Sequence, residues 1–114
     1  MMHQMNLHDA PFDNIACGVK TIELRLWDEK RRRIKVGDEI LFTHSKDSAR
    51  TLHCRVIALH IFPSFKELYK NLSLLKCGYT ERDIDIADPS DMDLYYTKEQ
   101  QSSNGVVGIE FELM

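Results

Sequence analysis

Apolar positions along the chain alternate between two periods, and the switches between them mark the elements. Met5 and Leu7 alternate with polar neighbours and predict a short first strand. Asp9 as a cap, Pro11 in the first turn and Gly18 at the end predict a helix over Asp9–Gly18. Its apolar face is Phe12, Ile15 and Ala16. From Lys20 to Trp27 the period becomes two, with Ile22, Leu24 and Leu26 on one face and Thr21, Glu23, Arg25 and Trp27 on the other. Gly37 and Asp38 suit a tight turn, followed by a strand over Ile40–Thr43.

Ser45–Arg50 is polar and predicts a hairpin loop into a long strand, Thr51–Ile61. Strict alternation puts Leu52, Cys54, Val56 and Ala58 on one face of that strand and His53, Arg55, Ile57 and Leu59 on the other, both faces turning apolar toward its end. Ser64 and Glu67 have capping-box spacing ahead of a helix carrying Phe65, Leu68, Tyr69 and Leu72. The acidic stretch Glu81–Asp93 has no clear period. Asp91–Gln101 predicts a helix, Gln101–Gly105 a turn, and Val107, Ile109, Phe111 and Leu113 one face of a last strand. Strands in runs with few long helices predict an α+β class: a small mixed β-barrel of about five strands with two or three short helices, one domain over residues 1–114.

Composition changes this picture little. The 114 residues are 43% hydrophobic and 29% charged, which suits a globular core. The formal net charge of −3 argues against a DNA-coating protein but hides an asymmetry. Lys30, Arg31, Arg32, Arg33 and Lys35 form a basic run, whereas Glu81, Asp83, Asp85, Asp88, Asp91 and Asp93 face only Arg82 in theirs. Three widely spaced cysteines, Cys17, Cys54 and Cys77, argue against a disulfide scaffold and a zinc site. His3, His8, His44, His53 and His60 lack metal-ligand spacing, so no metal and no cofactor are expected. No apolar run is long enough to span a bilayer, and the opening residues lack a signal-peptide pattern; a cytoplasmic location is expected.

The chemistry concentrates at Lys20, Glu23 and Arg25. Glu23 and Arg25 share a strand face about 7 Å apart. Lys20 has the opposite parity and joins them only if the chain bends at Gly18. As a surface group they make an ion pair of small worth. As a cleft they hold a phosphate or base carbonyl through Lys20 and Arg25, with Glu23 as acceptor or acid–base group. Trp27 beside Arg31, Arg32 and Arg33 offers a stacking ring next to phosphate-facing charge, or simply a barrel-rim tryptophan beside a solvated loop. One of Tyr95 and Tyr96 is expected in the core; the other can face the cleft with Glu99, one turn away.

Three segments resemble the ASCH family (activating signal cointegrator homology). Gly18-Val-Lys20-Thr-Ile-Glu23-Leu-Arg25 is similar to its G-x-K-x-x-E-x-R motif, and Ile34-Lys-Val-Gly37-Asp38-Glu-Ile-Leu-Phe42 to its turn and strand. Tyr95-Tyr96-Thr-Lys-Glu99 followed by Gly105-Val-Val-Gly-Ile109 is similar to its closing helix and strand. The resemblance implies a PUA-like pseudo-barrel with a cleft beside the N-terminal helix, and RNA or a nucleotide-like ligand as partner. One branch of the family resembles amidohydrolases acting on acetylated cytidine, with Lys-x-x-Thr at this place, and some members resemble nucleases. Here the pattern is Lys20-x-x-Glu23, with Thr21 displaced, so the same hydroxyl nucleophile is missing.

Three functions follow as expectations. The first is RNA or modified-nucleoside binding by Lys20, Glu23, Arg25, Trp27, Arg31, Arg32, Arg33, Tyr96 and Glu99. The second is a small hydrolase with Glu23 as base and Lys20 polarising a carbonyl. The third is a protein-interaction module using the acidic stretch.

Overall fold

The computed structural model describes residues 1–114 and contains five strands: β1 Met2–Leu7, β2 Ile22–Leu26, β3 Glu39–His44, β4 Thr51–Phe62 and β5 Val106–Leu113. Three helices accompany them, α1 Asp9–Ala16, α2 Phe65–Asn71 and α3 Lys98–Asn104. The sheet order is β1-β3-β4-β5-β2, with β1 parallel to β3 and every other pair antiparallel. The sheet curls into a half-barrel, so the class is α+β, as the strand pattern predicts. Its two edge strands meet at a seam, where Arg25 of β2 donates to the Asn6 carbonyl of β1 at 3.0 Å.

Two apolar clusters flank this wall. The inner one gathers Met5, Phe42, Val56, Val107, Ile109 and Phe111 with Phe12 and Ile15 of α1. The outer one gathers Ile22, Leu24 and Leu26 with Phe65 and Leu68 of α2, Cys77 and Met92. The faces of β2 follow directly. Its apolar residues look outward to the second cluster. Glu23 and Arg25 pair with Ile109 and Val107, so they stand on the inner face, among core residues.

Several local expectations need correction. The N-cap of α1 is His8, and Asp9 is the first helical residue, where a carboxylate favours the helix dipole without capping it. Ser64 accepts from the Glu67 N–H at 3.3 Å, but only that half of the capping box forms. Strand β4 carries a bulge: Val56 pairs with Phe111 and Ala58 with Glu110, leaving Ile57 extra and 42% exposed. One inserted residue reverses the alternation, which is why Leu59 packs on the inner cluster rather than on the His53 face.

The expected helix over Asp91–Gln101 is two elements. A 3₁₀ helix covers Pro89–Leu94, capped by Asp88 and Asp91, and α3 begins only after the Thr97–Gln100 capping box. Residues 101–104, expected as a turn, complete α3. The two capping boxes break the single helix expected over Asp91–Gln101.

Candidate functional site: a charged cleft at the barrel seam

The bend that brings Lys20 to Glu23 is built at the end of α1. Gly18 takes φ +83°, and the N–H groups of Val19 and Lys20 both donate to the Asn14 carbonyl at 3.0 Å. Thr21 and Ile22 then donate to the Lys76 carbonyl at 2.9 and 3.0 Å, which clamps the start of β2 against the segment after α2. Gly78 lies against Lys20; a Cβ there would sit 3.4 Å from the lysine Cδ, on a backbone at φ +109° that disfavours one.

With the chain so bent, the Lys20 ammonium lies 2.7 Å from Glu23 Oε1. The Arg25 guanidinium donates twice to Glu23 Oε2, at 2.8 and 3.0 Å. Lys20 is 8% exposed and Glu23 5%. Burial acts to raise the Glu23 carboxyl, but the Lys20 and Arg25 charges and their hydrogen bonds outweigh it and hold it below the usual carboxylate range. The group is therefore an ionised carboxylate between two cations.

This cluster forms the floor of a cavity of about 500 Å³. One side is the β1–α1 junction, with Asn6, His8, Pro11 and Asn14. The other is residues 77–96, which cross the seam with few regular elements and contribute Tyr69-facing Tyr79, Asp83, Asp91, Met92, Leu94, Tyr95 and Tyr96. A hydrogen-bonded chain fixes that wall: the Tyr69 and Tyr79 hydroxyls are 2.7 Å apart, and Tyr79 donates to Asp91 Oδ2 at 2.7 Å. Burial, the Tyr69 bond and the Asp91 bond push the Tyr79 phenol well above its usual range. Cys77 also lines the floor, its thiol pushed up to about 11 by burial.

The structure divides the sequence candidates. Lys20, Glu23, Arg25 and Tyr96 come together at the cleft. Tyr96 is half-buried, its ring stacked on Phe65 at 6.3 Å. Glu99 is exposed on α3 and does not line the cavity. Neither do Trp27, Arg31, Arg32 and Arg33. Arg31 pairs with Asp28 at 3.0 Å and Arg33 with Glu29 at 3.4 Å. Arg32 covers the Trp27 ring at 5.9 Å and donates to the Trp27 and Asn104 carbonyls at 2.7 and 3.1 Å. Those contacts tie the loop to the barrel rim. Both Tyr95 and Tyr96 line the cavity, Tyr95 exposed at its mouth, where one of the two was expected in the core; Tyr79 and Asp91 were not among the sequence candidates, since no period orders residues 79–96.

Residues 5–114 match the model of the ASCH domain. No curated protein matches the sequence. Among solved structures, the chain is similar to the hypothetical protein PH0355, at 32% identity over 100% of both chains with a TM-score of 0.81. It is also similar to protein PF0455 from Pyrococcus furiosus, at 31% identity over 100% of this chain and 98% of that one, with a TM-score of 0.70. An ASCH domain from Lactobacillus crispatus shares the fold at 11% identity, with 98% of this chain and 79% of that one covered and a TM-score of 0.66.

Proposed function

Because the chain belongs to the ASCH domain family, we propose that its seam cleft binds one nucleoside unit, free or within RNA. The observation that carries this reading is the ionic cluster on the inner wall. Taking charges out of water is expensive, and apolar residues of similar volume serve stability as well or better. Lys20, Glu23 and Arg25 nevertheless stand beside Ile109 and Val107, facing a cavity. Its volume of about 500 Å³ lies in the range of small-molecule sites, about 300–1,000 Å³.

In this reading Lys20 donates to a carbonyl on the base. Glu23 orients both cations and accepts from a base amine through its remaining lone pairs. Tyr95 and Tyr96 supply ring surface on the opposite wall. Binding is favoured over hydrolysis because Glu23 is held below its usual range and doubly engaged, which makes it a weak general base. Three unpaired cysteines support a reducing, cytoplasmic setting, with residues 1–114 acting as one unit.

The test is calorimetric titration of the wild type and Lys20→Met with the four common nucleosides, N4-acetylcytidine and a short single-stranded RNA, with chromatography of each mixture. Binding weakened at least about tenfold in Lys20→Met, with no new product, is expected, since it loses a hydrogen bond to a charged donor. Affinity unchanged in Lys20→Met would refute the assignment. A product peak would replace binding by hydrolysis.

A further inference from the structure

The charges around the cleft are lopsided, and this bears on which nucleoside species enters. The inference rests on the binding role proposed above. Two cations, Lys20 and Arg25, line the cavity against three carboxylates, Glu23, Asp83 and Asp91. Glu23 is spent on the two cations. Asp83 and Asp91 belong to the acidic segment that forms one wall. The strap over residues 79–96 carries Glu81, Asp83, Asp85, Asp88, Asp91 and Asp93 against Arg82 alone.

Two of these carboxylates are held in place. Asp83 Oδ1 accepts from both the N–H and the hydroxyl of Thr80. Asp91 Oδ2 accepts from the Tyr79 hydroxyl and the Asp88 N–H. Each therefore has one oxygen committed to the strap, which holds its charge in place on the cavity wall. The dense positive segment, Lys30–Lys35, lies outside the cavity lining. Arg31 and Arg33 are paired with Asp28 and Glu29, and Arg32 is bonded to backbone carbonyls.

We propose that the strap is an electrostatic selectivity filter: the cleft takes an uncharged nucleoside and rejects its phosphates and RNA. Tyr95, 66% exposed beside Leu94 at the mouth, offers apolar surface to a neutral ring. A phosphate dianion entering past the strap meets the Asp83 and Asp91 carboxylates of the lining, partly screened by salt. The expected penalty is about tenfold in affinity.

The experiment compares cytidine, uridine, adenosine and guanosine with their 5′-monophosphates and a short mixed-sequence RNA, by titration calorimetry at low salt. A second protein carries Glu81→Gln, Asp83→Asn and Asp85→Asn together. Asparagine at position 83 keeps an oxygen for Thr80, and Glu81 and Asp85 are exposed. The wild type is expected to prefer a nucleoside over its monophosphate about tenfold, and the variant about threefold or less. A wild-type preference for the monophosphate or RNA, or an equal ratio in both proteins, overturns the filter but leaves the cleft as a binding site. Binding of none of the probes overturns both.

Discussion

Replacing Glu23 with glutamine removes one charge from the inner wall of the barrel and strands two. In the wild type the carboxylate accepts from Lys20 at 2.7 Å and from Arg25 at 2.8 and 3.0 Å. Glutamine keeps the size but offers a single acceptor oxygen, so its amide donors must face one of the cations. Breaking a buried pair from one side costs about 3–5 kcal/mol. The cavity admits solvent along one side of the cluster, which places the expected loss near about 3 kcal/mol, or roughly 12 °C in Tm for a domain of this size. Removing all three charges together, as Lys20→Met, Glu23→Leu and Arg25→Met, leaves no charge stranded, and only the exposed Asn6 carbonyl loses a donor. That protein is expected within about 1 kcal/mol of the wild type, or more stable, while losing nucleoside binding. Urea unfolding followed by circular dichroism at neutral pH measures both. A loss below about 1 kcal/mol in Glu23→Gln, the range of an exposed pair, refutes the buried cluster. A triple variant as unstable as the single one refutes the claim that the charges serve binding rather than folding.

Four further outcomes follow from the same structure. The Glu23 carboxyl is held below its ordinary value of 4.5 when folded, so the unfolded chain binds the extra proton; its stabilisation is complete above about pH 4.5 and lost as pH falls through the folded value, and the gap between wild type and Glu23→Gln should close there in acid unfolding curves. Tyr79→Phe removes a donor to Asp91 and should cost about 1.5–2 kcal/mol with faster hydrogen exchange across residues 80–95; unchanged exchange there contradicts the wall described. Native thiol labelling should modify Cys17 quickly and spare Cys54 and Cys77, both buried with thiols near 11; two fast equivalents by mass spectrometry would contradict this. Gly108→Ala puts a Cβ 2.7 Å from Leu72 and 3.1 Å from Ile22, so unfolding should show a loss of about 1–3 kcal/mol, and an unchanged midpoint would mean α2 packs more loosely on β5.

The half-barrel was legible because its strands are amphipathic and one face must be buried. Ile22, Leu24 and Leu26 announced β2 by parity, and the same parity placed Glu23 and Arg25 together on its other face. What parity hid was the value of that other face. On an isolated strand it looks like solvent, whereas β2 lies between two cores and its charged residues are buried. The convergence of Lys20 depended on the bend at the end of α1: Gly18 flagged the bend in sequence, but its direction is set by Asn14 accepting two consecutive N–H groups, which spacing alone does not specify. Residues 79–96 were opaque for a related reason. Their order comes from side-chain caps and the Tyr69–Tyr79–Asp91 bonds, not from a repeating apolar face. The basic run misled in the opposite direction: its charges stand out in sequence, yet Asp28 and Glu29 pair with Arg31 and Arg33, two carbonyls hold Arg32, and none of the run lines the cavity.

The most direct test of the cleft is a backbone amide NMR titration of the full chain with each common nucleoside. Shifts are expected to concentrate at Asn6–Asn14, Lys20–Arg25 and residues 77–96, and to vanish in the triple apolar variant. Shifts centred on Lys30–Lys35, or none anywhere at millimolar nucleoside, would contradict it.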